Sequence, residues 1–215
     1  MINRFLVLVS LLSPSVAQAQ AANELIGRAS RVYRSLASLR ADFVQVIDNP
    51  MIDSAESKGT LIQSGDAKLS MRFSDPPGEA IVIDGKHVWI YTPSTVPGQV
   101  IRMRVPSGGP VYGYNLLAWL LDRPAERYRA SYLRSERVAG RTTDVIELVP
   151  AVPDLPFTRA RVWLDREDAL PRKLEIQEQS GATRTLSLSG IRANEAVPKH
   201  VFAFKVPAKV RVVDQ

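Results

Sequence analysis

The sequence predicts a mainly β fold in which a single curved antiparallel sheet is covered by a small number of helices. Three observations support this prediction. About ten segments alternate apolar and polar residues, as half-buried strands do. Short clusters of Gly, Pro, Asp and Ser separate these segments, which is typical of tight turns. Two further segments have helical spacing, and no repeat or low-complexity linker divides the 215 residues, so we expect one domain.

The first residues have the features of an export signal. Arg4 is basic, residues 5–12 are apolar, and Ala19 completes a small-residue cleavage site. The apolar run is too short to span a bilayer comfortably. We therefore expect residues 1–19 to be a cleaved signal peptide and residues 20–215 to form the mature domain.

Composition excludes several classes of function. The chain has no cysteine, so thiol catalysis, thiolate metal sites and the cysteine-linked anchor of bacterial lipoproteins are excluded. An exported chain without disulfides must also be stabilised by its own core. The formal charge of +6 is spread along the chain without a concentrated basic run, so nucleic acid is not an expected partner.

Two segments predict helices. Residues 22–38 have an amphipathic pattern in which apolar residues from Leu25 to Leu36 recur at helical spacing. Residues 111–122 (VYGYNLLAWLLD) follow a flexible loop at 107–110 and are apolar on nearly all sides. Such a helix must be covered over most of its surface, so the second helix is expected to lie against the sheet.

The strands are predicted from a period of two. Residues 68–73 (KLSMRF) show it most clearly, because Leu69, Met71 and Phe73 share one face and polar residues occupy the other. Consecutive strands with short turns indicate an antiparallel meander. The predicted strands are 40–48, 58–63, 68–73, the hairpin within 81–93, 99–105, 128–138, 143–149, 159–165, 172–179, 183–191 and a short final strand at 200–207.

The hairpin in residues 81–93 (IVIDGKHVWIYTP) has apolar residues on both faces, so both faces must be covered. We expect the face of Trp89 and Tyr91 to line a slot beneath the helices. The face of Val88 and Ile90 would then pack against a neighbouring segment or a partner. A shift of one register step would exchange the two faces, so the pattern alone leaves both assignments open.

The sequence predicts no catalytic, cofactor-binding or metal-binding residues. Only His87 and His200 could act as histidine bases or ligands, and they lack metal-ligand spacing. The nucleophile elbow and the phosphate-binding loop are absent from the sequence. Asp165 and Asp168 are interpreted as a charged turn between strands. An enzyme would require a histidine beside a carboxylate in a cleft.

The excess of apolar side chains on one sheet face has two interpretations. The simpler is an ordinary core, such as any β-sandwich contains. The other is a slot between a single curved sheet and its covering helices, in which an acyl chain can replace the helix contacts. That exchange costs little, because one apolar neighbour substitutes for another at about 25 cal/mol per Å² on either side.

The order of the segments resembles a known family. An amphipathic helix leads into LRADFVQV (39–46) and KGTLIQ (58–63), and then into the DGK turn, the NLLAWLLD helix and the late strands. The most specific residues are Asp84, Gly85, Lys86, Trp89, Tyr91 and Pro93, supported by Ala41, Phe43, Gln45, Gly59, Thr60 and Leu61. The sequence is similar, over nearly its whole mature length, to the periplasmic outer-membrane lipoprotein carriers of the LolA family.

The resemblance implies an incomplete β-barrel of about 11 strands with a helical lid over a hydrophobic cavity. It implies a monomeric periplasmic carrier, neither an enzyme nor a cofactor protein, which shelters the acyl chains of lipid-modified proteins as cargo. The cargo would come from an inner-membrane ABC transporter complex and pass to an outer-membrane receptor where one is present. The residues expected to form the cavity and lid are Leu25, Val32, Leu36, Phe43, Leu61, Leu69, Met71, Phe73, Trp89, Tyr91, Ile101, Met103, Leu116, Trp119 and Leu120.

One departure from the family pattern concerns the lid. In the family an Arg shortly after the Gly-x-Leu strand helps to hold the lid, whereas this chain has Gln63, Ser64 and Gly65 there. An alternative function is therefore kept: an envelope-stress sensor or regulatory lipid-binding module on the same scaffold. Under the carrier interpretation, a charge at Leu120 is expected to impair function more than folding.

Overall fold

The computed structural model describes residues 14–65, 67–106, 113–153 and 155–215. Most of these residues lie in one sheet of twelve strands. The strands are β1 Ser38–Asn49, β2 Ile52–Ser64, β3 Lys68–Asp75, β4 Ala80–Ile83, β5 His87–Tyr91, β6 Gln99–Arg104, β7 Tyr128–Val138, β8 Arg141–Pro150, β9 Phe157–Asp165, β10 Pro171–Glu178, β11 Thr183–Ala193 and β12 Arg211–Asp214.

The sheet order is β12-β6-β5-β4-β3-β2-β1-β11-β10-β9-β8-β7. Neighbouring strands are antiparallel except for β12, which pairs with β6 in parallel. The terminal strands β12 and β7 are not paired with each other, so the curved sheet does not close. The prediction of one large, curved and incomplete antiparallel barrel is confirmed.

The helices differ in extent from the prediction. Helix α1 spans Pro14–Ser35, so it begins before the expected cleavage position and ends three residues earlier than predicted. The central segment contains two short helices, α2 Leu116–Leu121 and α3 Pro124–Arg127, instead of one helix over 111–122. Asn115 caps α2, since its Oδ1 accepts a hydrogen bond from the Ala118 N–H at 3.2 Å. The predicted loop at 107–110, residues 111 and 112, and residues 1–13 lie outside the described residues.

The predicted final strand at 200–207 is wrong. The chain forms a short 3-10 helix at Lys199–Phe202, then crosses the outer face of the sheet without pairing. Phe204 stacks on Trp89 with ring centroids 5.6 Å apart, and Arg72 Nη2 donates to the Ala203 carbonyl at 3.3 Å. The segment after the 3-10 helix is therefore held to β3 and β5 by side-chain contacts instead of strand pairing. The last strand of the chain is β12, which was not predicted.

The main core lies between the concave face of the sheet and the helices. In β3 the alternation is as predicted, with Leu69, Met71 and Phe73 buried in this core. All six residues of α2 are buried in it as well. Among the described residues, no helix combines the length and apolar character needed to cross a lipid bilayer.

A buried ion-pair cluster fixes the turn between β9 and β10, where a charged turn was predicted. The Asp165 carboxylate, whose side chain is 1% exposed, accepts hydrogen bonds from Arg141 Nε at 2.6 Å and Arg172 Nε at 3.1 Å. Burial opposes its ionisation. The hydrogen bonds from Arg141 and the Glu167 N–H and the charge of Arg172 outweigh burial and hold the pKa of Asp165 below its ordinary 3.8.

Asp165→Asn is expected to lower the free energy of unfolding at pH 7 by about 3 kcal/mol, because the buried Arg172 then loses its buried carboxylate partner and keeps only the more exposed Asp168. The lowered pKa of Asp165 contributes stability above its unfolded pKa, and this is lost as the pH falls through its folded value. The difference between wild type and variant should therefore shrink below about pH 4. Urea unfolding at a series of pH values measures it.

The matched control for this prediction is Glu126→Gln. Glu126 pairs with Arg123 at 3.4 Å, but both side chains are more than half exposed. Removing an exposed pair is expected to change the free energy of unfolding by less than about 1 kcal/mol. An Asp165→Asn variant as stable as this control at pH 7 would contradict the structural role given to the cluster.

Candidate functional site

An apolar cavity of about 320 Å³ lies beneath the N-terminal end of α2. Strands β1 to β4 and β11 form its walls, and the segment from Gly113 to Leu117 forms its roof. The volume is at the lower end of the range of about 300–1,000 Å³ seen for small-molecule pockets. The lining residues are Gln45, Ile47, Ala55, Glu56, Ser57, Leu61, Met71, Phe73, Pro76, Glu79, Ile81, Thr92, Ser94, Thr95, Gly113, Tyr114, Asn115, Leu116, Leu117, Arg184 and Leu186.

The structure brings four of the fifteen predicted site residues to this cavity. These are Leu61, Met71, Phe73 and Leu116. Four others lie in the buried core without lining the cavity, namely Phe43, Leu69, Trp119 and Leu120. Strand alternation identified the correct face for the five strand residues, whereas the position of each residue along its strand or along α2 decided which of them line the cavity.

The predicted residues of α1 do not line the cavity. Leu25, Val32 and Leu36 are half-buried and pack against the main core. Helix α1 contacts mainly β7, at the opposite end of the sheet from β3 and β4. Met103 also packs against the core, and Ile101 pairs with Ile90 on the neighbouring strand. The cavity roof is therefore formed by α2 and the residues before it, without α1.

The expected orientation of the hairpin is reversed. Val88 is buried in the main core, and Ile90 packs against it. Trp89 and Tyr91 lie on the outer face, where both rings contact Phe204. The Arg102 guanidinium lies over the Trp89 ring at 5.5 Å. Both faces of the hairpin are apolar because the helices cover one and the C-terminal segment covers the other.

The DGK turn explains why Trp89 faces outward. Asp84 Oδ1 accepts hydrogen bonds from the backbone N–H groups of Lys86 and His87, both at 2.7 Å. Its Oδ2 accepts the Trp89 indole N–H at 2.9 Å. Burial of Asp84 opposes ionisation, but these hydrogen bonds prevail and lower its pKa. The most specific part of the family motif therefore builds a turn and holds Trp89 away from the cavity.

Side chains from three elements hold α2 and the segment that precedes it. Ser30 Oγ of α1 donates to the Leu121 carbonyl at 2.7 Å. Arg127 Nη1 of α3 donates to the Trp119 carbonyl at 2.7 Å, and its guanidinium lies over the Trp119 ring at 4.4 Å. Arg184 Nη1 of β11 donates to the Gly113 carbonyl at 2.9 Å. Side chain-to-backbone hydrogen bonds therefore hold α2 in addition to apolar contact.

The position where the chain departs from the family pattern also contacts a helix. Gln63 is 3% exposed, and its Oε1 accepts a hydrogen bond from the Tyr33 hydroxyl of α1. Gln63 Nε2 donates to the Gly65 carbonyl at 2.6 Å. An amide side chain thus links β2 to α1 at the place where the resemblance led us to expect an Arg.

The polar residues of the cavity were missed by sequence reasoning, although two of them left a signal. Asn115 directly precedes an apolar helical run, which is typical of an N-cap. Arg184 shares the period-two face of Leu186 and Leu188, both of which are buried. A charged residue on an apolar strand face indicates a polar group within the core. In the described part of the chain, no group of His, Cys, Asp and Glu side chains is suited to holding a metal ion.

Residues 34–205 match the family model described as "Outer membrane lipoprotein carrier protein LolA". The chain belongs to this family. Curated relatives named outer-membrane lipoprotein carrier protein include one from Pseudomonas entomophila, 23% identical over 98% of both chains. Another, from Legionella pneumophila strain Corby, is 24% identical over 98% of both chains. Family membership supports a role in binding lipoproteins, and the family consists of carriers, not enzymes.

Solved structures share the LolA-like fold. An uncharacterized conserved protein from Thermus thermophilus has a TM-score of 0.58 at 12% identity, covering 91% of this chain and 100% of that chain. In the MucA/MucB complex of Pseudomonas aeruginosa, the matching chain has a TM-score of 0.51 at 16% identity, covering 90% of this chain and 63% of that chain. At these identities the likeness shows the fold alone.

Proposed function

We propose that the protein carries lipid-modified proteins through the periplasm, from the inner membrane to the outer membrane, with acyl chains sheltered beneath α2. The observation that carries the proposal is an apolar cavity under a helical roof in a member of the lipoprotein carrier family. Residues 1–19 act as a cleaved signal peptide, and 20–215 form the monomeric carrier. An ABC transporter complex supplies the cargo, and an outer-membrane receptor accepts it where one is present.

The cavity is proposed to enlarge when cargo binds. Its volume of about 320 Å³ is small for a cargo with several acyl chains. Leu61, Met71, Phe73 and Leu116 form the initial apolar contact. Displacement of α2 then exposes Phe43 and Leu69 on the sheet and Trp119 and Leu120 on α2 itself, because all four belong to the same buried core.

Ser57→Trp is expected to weaken binding of the fluorescent apolar probe N-phenyl-1-naphthylamine by at least about tenfold, or ~1.4 kcal/mol. Ser57 is half-buried in the cavity wall, where Gln45 Nε2 lies 3.4 Å from its hydroxyl. An indole there occupies the space that the probe would fill. Fluorescence titration of the purified protein measures the affinity, and lipoprotein release from spheroplasts measures the carrier function.

The matched control is Ser54→Trp. Ser54 lies in the same strand, is exposed, and does not belong to the cavity lining. It should retain probe binding and lipoprotein release. Equal binding by both Trp variants would place the apolar site elsewhere, and a wild-type protein that releases no lipoprotein would argue against the carrier proposal.

A regulatory lipid-binding module is the second candidate. It is motivated by the similar scaffold in the complex of MucB with MucA. Such a module would hold a membrane-protein partner more durably than cargo. Affinity purification from envelope extracts separates the two, since a regulator would be recovered instead of an ABC transporter complex.

A further inference from the structure

Two buried N–H donors in the cavity wall have no hydrogen-bond partner. They are Asn115 Nδ2 and Arg184 Nε, and both residues belong to the cavity lining. Asn115 is 2% exposed, and its amide orientation is fixed because Oδ1 caps α2 through the Ala118 N–H. The NH₂ group is therefore the end left without an acceptor. Buried donors are nearly always paired in folded proteins, so two in one wall require an explanation.

The two donors belong to one end of the cavity roof. Arg184 Nη1 donates to the carbonyl of Gly113, two residues before Asn115. Arg184 Nη2 lies 3.2 Å from Glu178 Oε1, so its other nitrogens are engaged. Neither unpaired donor is in contact with solvent while the roof is closed. When the segment from Gly113 to Leu117 moves to admit an acyl chain, Asn115 Nδ2 on that segment and Arg184 Nε on β11 both become accessible to a polar group of the ligand.

The charges of the lining favour a neutral acceptor over an anion. Arg184 is the cationic residue of the lining and is already paired with Glu178, whereas Glu56 and Glu79 are acidic. A free carboxylate would enter a wall with an excess of negative charge. A neutral carbonyl oxygen can accept a hydrogen bond from either N–H group without that penalty.

We propose that Asn115 and Arg184 form a subsite for the ester or amide carbonyl at the head of a bound acyl chain. This inference rests on the proposed carriage of acyl chains, which it deepens by naming the polar group that is recognised. The apolar wall of Leu61, Met71 and Phe73 holds the hydrocarbon. The hydrogen bonds to the carbonyl then limit how deeply the acyl chain enters the cavity, because they hold the carbonyl at the end of the roof.

The test compares three ligands with the same chain length in displacement of N-phenyl-1-naphthylamine. They are 1-monomyristoylglycerol, which has an ester carbonyl, 1-O-tetradecylglycerol, which is the matching ether without a carbonyl, and myristate, which carries a carboxylate. The wild-type protein should bind the ester about five- to tenfold more tightly than the ether, since one or two hydrogen bonds are added. Myristate should bind no more tightly than the ester.

Asn115→Asp is the decisive variant, because aspartate caps a helix as well as asparagine does but offers an acceptor in place of Nδ2–H. Its ratio of ester to ether affinity should fall below that of the wild type, toward one. Asn115→Ser, which keeps a capping oxygen and lacks the NH₂ group, gives the same test if the aspartate variant does not fold. Arg184→Lys, which keeps the charge and removes Nε, should lower the ratio as well.

The outcomes separate this inference from the carrier proposal. Equal binding of ester and ether by the wild type, or an unchanged ratio in the Asn115 variants, overturns the carbonyl subsite and leaves carriage of acyl chains in place. Preferential binding of myristate also overturns it, in favour of a carboxylate site. Failure of all three ligands to displace the probe argues against the carrier proposal itself.

Discussion

Leu120→Asp is expected to lower the free energy of unfolding by about 4 kcal/mol or more. Leu120 is 0% exposed, so the variant loses a buried side chain, for which Leu→Ala changes alone cost about 2–5 kcal/mol. It also places a carboxylate in an apolar core, where ionisation is strongly disfavoured. The sequence led us to expect a larger effect on function than on folding. Complete burial reverses that order, because α2 cannot dock without burying the new group.

Thermal and urea unfolding of the Leu120→Asp variant, together with probe binding, measure both effects. Val96→Asp is the control, since Val96 is 37% exposed and should accept a charge with little change in stability. A Leu120→Asp variant with wild-type stability would mean that α2 contributes little to the native state. In that case α2 would be only weakly attached to the sheet. The hydrogen bonds to the carbonyls of Leu121 and Trp119 would then contribute little to the free energy of unfolding.

Gly59→Ala is expected to destabilise the protein by about 3 kcal/mol, because a Cβ atom has no room. Gly59 of β2 pairs with Phe73 of β3 next to a register shift. A Cβ at this position would lie 2.0 Å from the Arg72 carbonyl oxygen and 2.8 Å from the Phe73 Cα. Both obstacles are backbone atoms, so the strands would have to separate. Since Met71 and Phe73 line the cavity, the apolar probe should bind more weakly too.

Gly27→Ala is the matched control for this substitution. Gly27 lies in the interior of α1, and an added Cβ would meet only the end of the Arg31 side chain at 3.5 Å. Replacing a helical glycine in this way should stabilise the protein by about 0.5–1 kcal/mol. Circular dichroism melts of both variants test the pair. Similar melting temperatures for them would contradict the close approach of β2 and β3.

The hairpin shows how far pattern could predict the site. The DG pair between two apolar runs predicted a turn at the correct residues, and the structure has β4 and β5 on either side of it. The face that lines the core was predicted wrongly, because both faces carry large apolar side chains. The hydrogen bond from the Trp89 indole to Asp84 and the contact with Phe204, more than a hundred residues away along the chain, decide which face Trp89 presents.

The lid shows the same limit. The apolar run from Leu116 to Leu121 had to be buried wherever it lay, so its burial was predictable. Its division into two helices was not, because residue 123 takes a left-handed conformation and Pro124 then starts α3. The spacing of apolar residues in α1 also could not show that this helix packs on β7 and does not line the cavity. That placement depends on contacts between segments that are distant in the sequence.

The sequence by itself determined most of the strands, the single open sheet, the burial of the central helix and the family. Each of these follows from local periodicity, turn residues and a motif of neighbouring side chains. The tertiary structure alone decided which side of each strand faces the cavity and where the last segment lies. It also brought Asn115 and Arg184 to one wall. Side-chain alternation defines two faces equally well, and only packing against distant segments assigns one of them to the interior.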